Sequence, residues 1–174
     1  FYVGKGSTFP LLNGGVGVLY EAGATLGREI ATDNGLRTYR ENIRKHFRTS
    51  IASIEAGANL KSEYLQYQAD FYTSALTDAS RYATKAWVFS APGDPARMHF
   101  FADLLNYHRI DTHRLTRDIT VGGHTYTAGE SLVVPASQPQ FRLIRSIFET
   151  ITEFEDATFY DVSTWTLPPA FGLK

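Results

Sequence analysis

Six apolar residues, Leu36, Tyr39, Ile43, Phe47, Ile51 and Ile54, recur at steps of three and four, and that spacing admits one regular structure. On an α-helix they form a single stripe about five turns long, whereas on a strand they scatter over both faces. Most helical stability comes from packing such a stripe rather than from propensity, so a partner surface is implied. Asp33-Asn34-Gly35 supplies turn and capping chemistry just ahead, and a helix is predicted from Leu36. Gly57 and Asn59 interrupt the pattern. Leu60, Tyr64, Tyr67, Phe71 and Ala75 then restart it, which predicts a helical hairpin over 36–76.

Thr77 to Thr84 is polar, and a division of the chain into 1–78 and 79–174 is predicted there. Beyond it the pattern changes. Ala86-Trp87-Val88-Phe89-Ser90 reads as a strand. In Ala91-Pro92-Gly93-Asp94-Pro95 the turn ends in an N-cap (Asp94) and a first helical residue (Pro95). Met98, Phe101, Leu104 and Leu105 form that helix's buried stripe. The chain continues through Thr112 to Arg117, and Gly122-Gly123 then joins Ile119-Thr120-Val121 to His124-Thr125-Tyr126 as a two-residue hairpin. Leu132-Val133-Val134 is a short strand, and Pro139 opens a helix whose stripe is Phe141, Ile144, Ile147, Phe148 and Ile151. This order of elements predicts an α/β fold, three-layer αβα with a mainly parallel, flavodoxin-like sheet, preceded by the helical hairpin.

The 174 residues suffice for one domain or two small ones. A net charge of −1 gives no electrostatic case for nucleic acid or an anionic membrane. Without cysteine, disulfides, thiolate zinc sites and cysteine nucleophiles are all excluded. Apolar runs such as Ser131 to Ala136 are too short to cross a bilayer, so no membrane insertion is expected. The opening Phe1-Tyr2-Val3-Gly4 has no methionine and no signal-like segment, which predicts a piece of a longer protein.

Several motifs fail on spacing. In Gly4-Lys5-Gly6-Ser7-Thr8 a glycine separates Lys5 from the hydroxyl residues and Pro10 follows, so it is not a phosphate loop. Gly15-x-Gly17 has Tyr20 where a dinucleotide fingerprint needs glycine. His46, His99, His108, His113 and His124 show none of the close pairings that hold zinc, and no metal site is predicted within this chain. His46 and His108 are placed late in predicted helices, where the dipole favours a cation. Arg37, Arg40, Arg44, Lys45 and Arg48 make the first helix basic opposite its stripe. They read as a solvated face, or as partners for acids of a neighbouring domain. No Gly-x-Ser-x-Gly elbow is present.

Gly14 to Gly23 is a Gly-rich apolar run that carries one carboxylate, Glu21, near its end. Such a run suits a strand buried on both faces, with Glu21 at the carboxyl end where open α/β folds place ligand crevices. Glu21 therefore either ends a strand as a structural acid or serves as a general base in a partly apolar setting.

Phe1-Tyr2-Val3-Gly4-Lys5-Gly6-Ser7-Thr8-Phe9-Pro10, followed by Gly17-Val18-Leu19-Tyr20-Glu21-Ala22, resembles the zinc carboxypeptidases, more closely their large bacterial members. The second half resembles the class I glutamine amidotransferase-like domain that follows the catalytic domain in those proteins, which makes an amidotransferase-like arrangement the alternative to the flavodoxin-like one for the three-layer fold. It includes the ending Phe159-Tyr160-Asp161-Val162-x-x-Trp165-x-Leu167-Pro168. The resemblance implies that 1–78 is the end of a catalytic domain and that 79–174 is non-catalytic. It makes Glu21 the general base of a zinc-dependent peptidase acting on C-terminal peptide bonds, and matches Tyr2 to a mobile tyrosine over the substrate. The family's zinc ligands and carboxylate-gripping arginine precede the catalytic glutamate, so zinc belongs to the parent protein and this chain alone is expected to be inactive. Leu26 stands where related proteins often carry Arg. By the same resemblance the parent is exported, periplasmic or secreted, and its substrate is a peptide or protein. A homodimer through an exposed sheet edge is a further expectation. The other reading is a non-catalytic α/β binding or scaffolding module.

Overall fold

The computed structural model of the chain describes residues 3–23, 25, 27–150 and 166–174. After a 3-10 turn at Pro10–Asn13, an extended stretch leads to a small antiparallel hairpin, β1 (Glu29–Thr32) and β2 (Gly35–Thr38). Helix α1 (Tyr39–Asn59) and helix α2 (Lys61–Arg81) follow, separated by Leu60. The second half contains β3 (Ala86–Phe89), α3 (Pro95–Tyr107), β4 (His113–Arg114), the hairpin β5 (Ile119–Val121) and β6 (His124–Tyr126), β7 (Leu132–Pro135), α4 (Phe141–Phe148) and α5 (Leu167–Ala170).

The sheet overturns the fold expected from the sequence. No mainly parallel sheet and no three-layer αβα arrangement forms among the described residues. β7 lies between β3 and β4 and is antiparallel to both, pairing Trp87 with Val134 and His113 with Val133. Among the described residues β5 pairs only with β6, as a separate two-stranded unit. The order β3–α3–β4 does make β3 and β4 run the same way, as a βαβ unit requires. The two are not neighbours, because a later strand of opposite direction fills the space between them.

One core unites the two halves. Phe101, Ile144 and Val134 are fully buried, with Phe89, Leu105, Ile110, Leu143 and Phe148 around them, and Leu12 of the 3-10 turn joins the same cluster. Asp94 caps α3 as expected, its Oδ1 accepting from the Arg97 N–H at 2.9 Å. α4 carries the strongest apolar face, burying Phe141, Leu143, Ile144, Ile147 and Phe148. The boundary expected between 78 and 79 falls inside α2, whose Ala75 and Ala79 pack with Ala136 and Phe141.

The predicted helix pair forms, but not as a packed hairpin. The stripe of α1 faces solvent, with Phe47 at 65% and Ile54 at 68% exposure, and in α2 Tyr64 and Tyr67 are also exposed. Helix α1 starts at Tyr39 rather than Leu36, because Asn34-Gly35 closes the β1–β2 hairpin first. Thr38 then begins the helix with a capping box. Its Oγ1 accepts from the Glu41 N–H at 3.2 Å, and Glu41 Oε2 accepts from the Thr38 N–H at 3.2 Å. These bonds to Thr38 hold the Glu41 carboxyl below the ordinary carboxylate range. With the folded-state value depressed, the carboxylate's bonds to Thr38 are intact above that range and are lost as pH falls through it, while the bond from the Glu41 N–H to Thr38 Oγ1 does not titrate. Thr38→Ala is expected to remove about 1 kcal/mol of stability, read by denaturant melts at neutral pH, with the difference shrinking in acid.

Candidate functional site

Glu21 ends an extended segment that does not become a strand. Residues 15–23 lie outside regular structure, and among the described residues the backbone groups of 16–22 make no hydrogen bond to other backbone. The buried strand expected here is therefore absent, because no described strand lies beside this segment to pair with it. Val16, Val18, Leu19 and Tyr20 are exposed instead of buried.

Three contacts position the segment. A Cβ on Gly17 would sit 1.8 Å from the Ser7 carbonyl oxygen, so glycine alone permits the close crossing over the loop. The Tyr20 hydroxyl lies 2.9 Å from Ser53 Oγ on α1. The Gly23 carbonyl accepts from Asn42 Nδ2 at 2.8 Å. Strung along α1 in this way, the segment leaves the Glu21 side chain exposed, with no hydrogen bond or ion pair among the described residues. Tyr2, Leu26 and the stretch Phe159 to Trp165 lie outside the described residues.

The histidines do not converge. Among the described residues no group of three or more His, Asp or Glu side chains is placed to hold a metal ion. His108 is the C-cap of α3 and packs edge-on against Phe9, their ring centroids 5.4 Å apart. His46 sits mid-helix rather than late, because α1 runs on to Asn59. Arg40, Arg44, Lys45 and Arg48 are exposed.

Two polar groupings were not singled out from the sequence. Ser90 Oγ lies 3.3 Å from His124 Nε2, joining residues far apart in sequence. Among the described residues no carboxylate orients the far side of that imidazole, and Ser90 is tied by its backbone to Lys174, so the pair lacks the constellation of a hydrolase triad. The second grouping lines a cavity of about 720 Å³ between α2 and α4. There Arg142 pairs with Asp78 at 2.5 Å, and Arg145 pairs with Glu149 at 3.1 Å while lying over the Tyr82 ring. The bond to Glu149 raises the Arg145 pKa further. These cations are already neutralised, and they serve the contact between the two helices. Interhelical pairing of this kind could not be anticipated while α2 was expected to pack on α1.

No helix among the described residues is long and apolar enough to cross a membrane. No protein family, curated protein or solved structure matches the chain.

Proposed function

We propose that this chain is the C-terminal part of a zinc carboxypeptidase-like peptidase and contributes Glu21 as the general base. The reading is carried by one observation. An extended apolar segment with unpaired backbone lies beside the uncovered stripe of a long amphipathic helix, and a lone carboxylate stands at its end. A strand-like edge and an apolar helical face left open side by side are what a sheet domain presents when its remaining strands are supplied from elsewhere. Among the described residues no group of three His, Asp or Glu side chains is placed to hold a metal ion, and in this reading the zinc ligands come from outside them. Zinc supplies an acidified water in such enzymes, and the part left to this chain is a carboxylate able to accept a proton.

The test is metal stoichiometry. Equilibrium dialysis is expected to leave the isolated 174-residue chain without bound zinc and without peptidase activity, whereas a protein extended upstream of Phe1 takes up one equivalent. Stoichiometric zinc in the isolated chain, or none in the extended protein, overturns the reading.

A further inference from the structure

We propose that Asn34 is a site of spontaneous covalent modification, converting to aspartate and isoaspartate through a succinimide, and that the fold shields Asn13 from the same reaction. The chain holds two Asn-Gly pairs, Asn13-Gly14 and Asn34-Gly35. A following glycine puts no side chain in the way of its own backbone nitrogen, so both pairs carry the chemistry. Their surroundings decide which one reacts.

The reaction needs only water. The Gly35 backbone nitrogen attacks Cγ of Asn34, a C–N bond forms, and the Cγ–Nδ2 bond breaks. Ammonia leaves with the proton that the nitrogen gave up. Water then opens the ring at one of its two carbonyls, with no oxidation or reduction. Opening at Cγ gives aspartate. Opening at the α-carbonyl gives isoaspartate, whose backbone runs through one extra carbon.

At Asn34 little restrains the reacting groups. The residue is exposed, and its side chain makes no hydrogen bond among the described residues. Only its backbone N–H is engaged, 3.3 Å from Thr32 Oγ1. Gly35 pairs with Thr32 at the end of the β1–β2 ladder, and among the described residues no third strand supports that ladder. Two-stranded hairpins are marginal, so local opening releases the Gly35 nitrogen while the core stays folded.

At Asn13 both partners are held. Its Nδ2 donates to the Phe9 carbonyl at 3.0 Å, and the Gly14 N–H donates to the Pro10 carbonyl as the cap of the 3-10 turn. Gly14 is buried beside Phe71, and the Tyr72 hydroxyl donates to the Asn13 carbonyl at 3.0 Å. Ring closure there requires the turn to come away from α2.

Isoaspartate would alter the turn that sets the β1–β2 register. That hairpin is tied to the start of α1, since the Tyr39 N–H donates to the Arg28 carbonyl at 2.9 Å. The assignment does not rest on the peptidase reading.

The 174-residue chain is incubated folded, and in parallel unfolded in urea, at mildly alkaline pH and then mapped with trypsin. In the folded chain Asn34, in peptide 29–37, is expected to lose its amide at least about tenfold faster than Asn13, in peptide 6–28. In urea the two rates are expected to converge. Methyl transfer from S-adenosylmethionine by a protein-isoaspartate methyltransferase is expected to label peptide 29–37, and Asn34→Gln to abolish that label. The proposal is overturned by an amide retained at Asn34 in the folded chain while the unfolded chain reacts, by equal rates at the two sites in the folded chain, or by a difference that persists in urea.

Discussion

Glu21→Gln is expected to lower kcat for peptide hydrolysis by about 10²–10⁴-fold in the protein that carries the metal centre, with zinc content unchanged. The substitution keeps the shape of the side chain and removes its capacity to take a proton. Its structural consequences are small, because Glu21 is exposed and has no hydrogen bond or ion pair among the described residues. Exposed positions of this kind shift stability by less than about 0.5 kcal/mol. A structural acid predicts the opposite pattern, with lower Tm and intact turnover per folded molecule. Measuring kcat, zinc stoichiometry and Tm on the same preparation therefore separates the two roles. Unchanged kcat with unchanged zinc would leave a binding or scaffolding module as the better reading.

Local chemistry was legible in the sequence wherever a single residue type solves a single backbone problem. Asp94 and Pro95 begin α3 because one accepts an orphan N–H and the other has none to satisfy. Gly122 and Gly123 turn the β5–β6 hairpin because both adopt positive φ, 59° and 78°. Asn34-Gly35 carried the same signal, but the helical stripe beginning at Leu36 masked it. Leu36 lies in β2, and its place in the stripe is a coincidence of spacing.

Pairing and coverage were not legible, for a physical reason. Periodicity reports that a face is apolar and is silent on what lies against it. Val133 and Val134 form a strand in the sequence and in the structure. Nothing in their neighbourhood announces that this strand enters between β3 and β4 and reverses the sheet from parallel to antiparallel. The Gly14–Glu21 run shows the same limit. An apolar run of that length suits a buried strand, yet a strand exists only when a neighbour accepts its hydrogen bonds, and no described residue does. For the candidate site this means that Glu21 could be picked out by residue type and resemblance, whereas the contact of Ser90 with His124 could not, since only the fold brings those two residues together.

Phe101→Ala is expected to cost about 3–5 kcal/mol, the usual result of emptying a buried aromatic site. The ring is fully buried and lies 5.1 Å from Phe89, 5.3 Å from Phe171 and 6.2 Å from Phe148, centroid to centroid. Neighbours from β3, α4 and the end of the chain cannot all move in to fill the gap. For a chain of this size the loss corresponds to a fall in Tm of roughly 10 °C. Phe47→Ala makes the same chemical change on α1, where the ring is 65% exposed, and is expected to stay within about 0.5 kcal/mol in the isolated chain. The contrast measures coverage directly. If Phe47→Ala instead lowers Tm by several degrees, and the effect grows with protein concentration, the α1 stripe is buried between two copies of the chain. If it is silent in the isolated chain but destabilises a protein extended upstream of Phe1, the cover is intramolecular, as the peptidase reading requires.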